Sequence, residues 1–502
     1  MGSSDEIDRA SGRKIEVSEV SEVQVPQYSD KEYDHVKRKA DRYLLPLMWL
    51  CHGLQSIDKS SVSTQAIFGL REDTGLVGQQ YSWLVTIFYL TYLCFELPTL
   101  ILLQRYPMGR VLSLYILCWG CVVLSIGFAQ NFVQLVTLRA LQGLFECCIS
   151  PGFMLVVGNW YTTREHASRS LVFQSAYSGL GLFTDSVLYG IGTISYKHPG
   201  VEAWRYMSYF LGGITIVTGV FFLLFFGTPS EVRWLSADEK KIAAARILAN
   251  NAGHDQTGTQ EWNWGQVREC LVDPIFWFAG LNGFLGSVPN GALTTFSAIL
   301  NTTFGFTNLQ VILLNLPRYV FTLLYFAAVG VLATKRENVR MWFMMFSVIP
   351  AFVGFLVMGL LPNEPQYKWT KWGGYFMTSP YIISTFLAWT LIPSNVAGRT
   401  KRTVVSSFTF VGYCAGNMAG SQIFQAKDAP GYIPGIIGCA ACLGVQILLI
   451  FLWRTILVMR NARRERRMSE LGISEEEGVN IGQEMGQQDR TDLENPYFRY
   501  VT

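Results

Sequence analysis

Charge is scarce in this chain, and histidine scarcer still. Of 502 residues only 15% are Asp, Glu, Lys or Arg and five are His, while 50% are apolar and 14% aromatic. An ordinary soluble domain carries about 25% charged residues, so a normally polar, water-facing surface is excluded over most of the length. The mean hydropathy of +0.25 points the same way, to an integral membrane protein. Net charge is only +3, which leaves no electrostatic footprint for nucleic acid. The ten cysteines have no regular spacing and no histidine companions, and all but Cys270 fall inside apolar segments. That pattern suits small apolar packing residues and suggests neither a zinc site nor a disulfide framework. No nucleophile, metal or phosphate-loop motif stands out, so neither enzymatic chemistry nor a bound cofactor is expected.

What the chain does have is a succession of apolar segments near the roughly 20 residues that cross a bilayer. They lie at 43–67, 81–103, 111–129, 132–157, 171–194 and 206–226, then at 274–300, 309–333, 341–361, 372–393, 404–424 and 433–459. This makes about twelve spans in two sets of six, an all-α membrane fold. Residues 1–42 are polar, end near the basic run Lys37-Arg38-Lys39, and read as a disordered cytoplasmic tail rather than a signal peptide. A first six-helix bundle is expected over 43–228 and a second over 274–459. Between them, 229–273 is a polar interlude in which the segment from Ser236 has a serine cap, acids in its first turn and bases later, as an amphipathic surface helix should. The tail 460–502 is basic to Arg467 and acidic and glutamine-rich beyond, where disorder is expected. Lysines and arginines crowd one set of connections, at Arg105, Arg110, Arg164, Arg169, Lys335, Arg336, Arg340, Arg399, Lys401 and Arg402. The positive-inside rule then places both termini and the central loop in the cytoplasm. Asn301-Thr302-Thr303 falls in the outer connection after the seventh span, which makes Asn301 a glycosylation candidate.

A few charges sit inside the apolar segments, where each costs about 3 kcal/mol or more unless it faces a cavity or a partner. Within 135–152, Arg139, Gly143 and Glu146 stand at i, i+4 and i+7 on one helix face. Such a stripe reads as a substrate or proton path; the less favoured alternative is an internal ion pair that only fixes packing. The first span is interrupted by His52, Gln55, Asp58 and Lys59, which a helix tolerates if it lines a water-filled cavity. Asp58 and Lys59 are neighbours and point about 100° apart, so each needs its own partner. The alternative is a helix that ends early and leaves both solvated. Arg318, after Pro317, either faces the cavity or packs at its rim.

Several motifs belong together. Gln104-Arg105-Tyr106-Pro107-Met108-Gly109-Arg110 joins the second and third spans, and Leu76-Val77-Gly78-Gln79-Gln80-Tyr81-Ser82-Trp83 enters the second, which also holds Glu96 and Pro98. Asn159-Trp160-Tyr161 is followed by Glu165 and Arg169. Ser394-Asn395-Val396-Ala397-Gly398-Arg399-Thr400-Lys401-Arg402 precedes Gly412-Tyr413-Cys414-Ala415-Gly416-Asn417. With these residues the chain resembles the major facilitator superfamily over 39–459, and within it the fungal allantoate permease family of the anion:cation symporter branch.

The resemblance implies two six-helix bundles with a substrate site between them near the membrane midplane. It assigns Arg139 and Lys59 to anion binding, Asp58 and Glu146 to proton coupling, and Asn417 to a polar substrate contact from the second bundle. Arg105, Gly109 and Arg110 would govern the change of conformation. Two departures stand out: Lys59 and Ser61 occupy positions where the branch has arginine and asparagine, and Gln104 replaces an aspartate. Lysine is a point donor rather than a planar fork, which weakens bidentate carboxylate capture. Loss of the aspartate weakens the latch between cytoplasmic ends. The implied function is proton-coupled uptake, by alternating access across the plasma membrane, of a small organic anion or zwitterion: a ureide carboxylate, a vitamin acid, an amino acid or a small peptide. Its partners are the substrate carboxylate, protons and the lipid bilayer, and a monomer suffices. Export of a fungal secondary metabolite is the competing reading. A receptor that transports nothing comes third, because it has no need of protonatable groups in the bilayer.

Overall fold

Helix α1 (Asp30–Gln65) begins where Glu32 accepts the Ser29 N–H at 2.9 Å. The computed structural model describes residues 28–162, 165, 169, 172, 173, 175–198, 200–251, 262–336 and 338–502. Over 1–42 the expected polar tail is therefore helical from Asp30, and its first 27 residues lie outside the described part. Polar residues before the first apolar segment join the helix because they find partners on the helix Ala237–Asn251 and on the first half. Lys39 Nζ lies 2.9 Å from Glu239 Oε2, and Arg169 Nη2 lies 2.9 Å from Asp41 Oδ2.

The first half continues with α2 (Gln80–Arg105), α3 (Met108–Ile126), α4 (Phe132–Glu146), α5 (Ile149–Trp160), α6 (Ala176–Lys197) and α7 (Ala203–Phe225). Helices α4 and α5 form the single fourth span, interrupted at Cys147 and Cys148 just before Pro151, whose missing N–H cannot bond back to the preceding turn. Two helices outside the spans follow, α8 (Ala237–Asn251) and α9 (Trp264–Val272). The second half holds α10 (Pro274–Thr303), α11 (Asn308–Lys335), α12 (Arg340–Leu360), α13 (Lys368–Met377), α14 (Ile382–Asn395), α15 (Arg399–Gln422) and α16 (Ile433–Glu470), and a last helix α17 (Glu475–Gln487) ends the series. Helices α13 and α14 are two parts of one span, linked by a 3-10 turn at Ser379–Tyr381. Helical bodies thus match all twelve expected segments.

Eight of these bodies are by themselves long and apolar enough to cross a membrane. Helices α1, α6, α10 and α15 fall short of that apolarity on their own, and every one of them meets the opposite half, α1 with α10, α6 with α11 and α15 with α2. Ala298 N donates to Ser63 Oγ at 2.9 Å, Asn315 Nδ2 to Asp185 Oδ2 at 3.2 Å, and Gln422 Nε2 to Thr86 Oγ1 at 2.7 Å. Helices that face a polar interior carry polar side chains there, which lowers their apolarity. Within the second half, α15 lies directly on α10. A Cβ on Gly412, Gly416 or Gly420 would stand 2.3, 2.3 or 2.0 Å from a carbonyl oxygen of α10, so only glycine allows this approach.

The molecule has a proximal end, which carries both ends of the described chain, and a distal end. Distally the halves are tied by the bond from Ala298 to Ser63, by Tyr81 OH donating to Thr295 O at 2.6 Å, by Asn308 Nδ2 to Ile67 O at 2.6 Å, and by Ala426 N to Gln79 Oε1 at 2.8 Å. Among the described residues, no proximal ion pair joins the two halves: α8 pairs with the first half, and α9 and the C-terminal tail pair with the second. The structure is therefore tied shut distally and not proximally.

Two expectations are corrected here. The segment beyond Arg467 is folded: α16 runs on to Glu470, α17 follows, and the last residues return beneath the second half. Buried Lys401 Nζ lies 2.7 Å from Glu269, 2.8 Å from Asp273 and 2.8 Å from Asp492. Tyr500 OH donates to Asp492 Oδ2 at 2.7 Å, and Asn395 holds Val501 by both its amide groups. Acids that look like a solvated run thus include counter-ions of a buried lysine. Burial alone would raise the Asp273 carboxyl, but Lys401 and Arg460 beside it hold it below the usual carboxylate range. The second correction concerns Asn301, which lies inside α10, is 1% exposed, and donates its Nδ2 to Ser297 O at 2.8 Å. The folded chain leaves no room for a glycan on that nitrogen.

Candidate functional site

Helix α1 does not end early, so Asp58 and Lys59 are carried into the interior. They find separate partners. Asp58 Oδ2 accepts from Trp119 Nε1 at 2.8 Å and from Gln142 Nε2 at 2.5 Å. Lys59 Nζ lies 2.8 Å from Glu146 Oε1, with the Lys59 side chain 18% exposed and Glu146 fully buried. The same ammonium stands 5.2 Å from the Tyr92 ring centroid and 5.7 Å from that of Phe88, both on α2.

Arg139 is brought near the same cluster by a different route from the one its stripe suggests. Its Nη1 donates to Gln142 Oε1 at 3.0 Å, and Gln142 passes the contact on to Asp58. Arg139 and Glu146 are two turns apart, about 10 Å along the axis, and the carboxylate takes Lys59 instead. Gly143 lies between them where α4 touches α2, since a Cβ would stand 2.3 Å from Phe88 O. Gln142, one turn from Arg139, belongs to this hydrogen-bonded cluster and was missed by sequence reasoning, although its i+3 spacing from the arginine was visible.

Asn417 lies fully buried on α15, where its Oδ1 accepts from Asn290 Nδ2 at 2.8 Å and its Nδ2 donates to Tyr413 O at 2.9 Å. Asn290 in turn lines a cavity between the halves, walled by α1, α6, α10, α11 and the turn joining α13 to α14. The charged side chains on this cavity wall are Arg318 and Asp185. Arg318 thus faces the cavity. Asp185, a lone acid in its span, carried no stripe or motif to mark it. Of the conformational group, Gly109 is buried and its N–H donates to Glu231 Oε2 at 3.0 Å, while Arg105 and Arg110 are exposed at the proximal end with no ion pair among the described residues.

Comparison with known proteins agrees with this architecture. A sequence profile of the Major Facilitator Superfamily matches residues 48–421. The chain is 30% identical to the allantoate permease of Saccharomyces cerevisiae over 99% of its own length and 91% of the permease. It is also 30% identical to an uncharacterized transporter of Schizosaccharomyces pombe (93% and 91% covered), and 26% identical to the high-affinity nicotinic acid transporter of S. cerevisiae (98% and 89%). In fold it is similar to a bacterial homologue of the human lysosomal transporter Spinster, with a TM-score of 0.56 at 14% identity over 85% of this chain and 98% of the other. The profile match and the near full-length relatives lead to one conclusion: the chain is a multi-pass membrane transporter of the Major Facilitator Superfamily, and it belongs with the fungal transporters that include allantoate permease.

Proposed function

We propose that this transporter couples the entry of protons to the uptake of a small organic carboxylate, through a site that includes Lys59, Glu146, Asp58 and Arg139. One observation carries the reading: a buried carboxylate, Glu146, is paired at 2.8 Å with a lysine on the helix that meets the opposite half. A proton arriving on Glu146 releases Lys59 to hold a substrate carboxylate, and an anion on Lys59 favours the proton on Glu146. Each ligand then strengthens the other by the same factor. Asp58, held by Trp119 and Gln142, ties Arg139 to the helix that carries Lys59. The substrate class is supported by the relatives named for allantoate and nicotinic acid, both carboxylates. With both termini in the cytoplasm of a cell whose plasma membrane holds the protein, the distally closed state is the inward-facing one.

The test replaces Glu146 with glutamine, a neutral mimic of the protonated acid. In vesicles, Glu146→Gln is expected to lose accumulation driven by an inward proton gradient while retaining exchange of labelled substrate. Accumulation that persists with the gradient and collapses without it would remove Glu146 from coupling. Substrate leaving as protons enter would reverse the vector and make the protein an exporter.

A further inference from the structure

We infer that Arg318 and Asp185 form a two-pole receptor in the cavity between the halves, built for a ligand that carries a carboxylate at one end and N–H donors at the other. This rests on the reading above that the substrate is a small carboxylate; it places that carboxylate on Arg318 while Lys59 is still paired with Glu146, and adds what the rest of that substrate must offer.

The two charges line one cavity yet do not meet. Among the described residues, no carboxylate lies within ion-pairing distance of Arg318 and no cation within that distance of Asp185. Neutral groups hold them apart. The Arg318 guanidinium stacks on Tyr375, with Cζ 3.7 Å from the ring centroid, while its Nε donates to Ser379 Oγ at 3.1 Å and its Nη2 to Thr378 Oγ1 at 3.3 Å. Its Nη1 makes no hydrogen bond among the described residues, although a guanidinium offers five N–H donors in a planar fork. On the same cavity wall, Asp185 is 6% exposed and accepts from Asn315 Nδ2 at 3.2 Å and from the Tyr319 hydroxyl, which leaves a carboxylate with further acceptor capacity. Asn315 also receives Tyr375 OH, at 3.5 Å. Tyrosine and asparagine thus act as a spacer between the poles.

Opposite charges buried in one cavity would ordinarily gain by closing on each other, and each is costly while it lacks a partner. A ligand whose carboxylate meets the open edge of the Arg318 fork, and whose N–H groups reach Asp185, satisfies both at once. Ureido acids and amino acids have that chemistry. A plain carboxylate satisfies only the arginine. A site made to accept N–H groups rejects an analogue that lacks them, because its buried acceptor is then left unpaired.

The test uses two acids of nearly equal shape, N-carbamoylglycine and 4-oxopentanoate, which differ in having N–H or C–H groups beyond the carboxylate end. Each is radiolabelled, and its dissociation constant is measured on the purified protein in nanodiscs. The wild type is expected to favour N-carbamoylglycine at least about ten-fold. Asp185→Asn should bring that ratio toward one while leaving 4-oxopentanoate unchanged, and Arg318→Lys should weaken both acids. If Arg318→Lys fails to reach the membrane, Ser379→Ala, which frees one edge of the fork, should weaken both acids by a smaller factor. An unchanged ratio in Asp185→Asn, or wild-type affinities in the arginine and serine variants, would overturn the receptor. Wild-type protein that binds neither acid would overturn it together with the carboxylate reading. Normal ratios without uptake driven by a proton gradient would leave the receptor standing and remove the coupling.

Discussion

Lys59 and Glu146 are a buried pair whose energetic roles can be separated by substitution. Removing one member leaves the other charged and unpaired in the interior, at a cost of about 3–5 kcal/mol. Lys59→Met is therefore expected to lower the thermal midpoint in detergent. The double variant Lys59→Met/Glu146→Leu should regain most of that stability, because no lone charge remains, yet it should not transport. A double variant no more stable than the single would mean that the pair itself holds α1 against α4. The presence of these charges was legible from their depth in apolar segments, but their partners were not. Helical spacing says which residues share a face and nothing about which neighbour that face meets. Hence Arg139 and Glu146 looked like mutual partners, whereas the partners come from α1 and from Gln142. Asp185 stayed hidden because one acid without periodic company resembles a residue near a span end.

The contact of α15 with α10 depends on what is missing from its side chains. Gly420→Ala would drive a Cβ to 2.0 Å from Val288 O, and neither backbone can yield without parting the helices. Overpacking of this kind costs about 1–3 kcal/mol, so the variant should unfold at lower temperature. Gly213→Ala on α7, where nothing lies within 4 Å of the added carbon, should be neutral. Equal midpoints for the two variants would show that α15 and α10 are free to separate. Helix positions were readable from apolar length alone, since the bilayer sets that length. The C-terminal fold was not, because Glu269 and Asp273 from one stretch and Asp492 from another, more than 200 residues on, converge on Lys401.

At the scale of the whole molecule, the two halves are joined distally and each is tied within itself proximally. Alternating access requires the distal ties to break. Cysteines at positions 63 and 298, where Ser63 Oγ receives the Ala298 N–H, should form a disulfide that blocks uptake until a reductant is added. Single-cysteine variants should be unaffected, and uptake that survives complete crosslinking would mean that α1 and α10 stay together throughout the cycle. The folded tail bears on how such experiments are instrumented. Thr502 is 4% exposed and its N–H reaches Asn338 Oδ1 at 3.3 Å, two residues beyond a tyrosine held by Asp492. A fluorescent protein joined after Thr502 would have to pull that tail from its seat, so it should lower both thermal midpoint and uptake relative to the same reporter inserted after exposed Glu364. Signals from a C-terminal reporter would then describe a molecule already altered by the label.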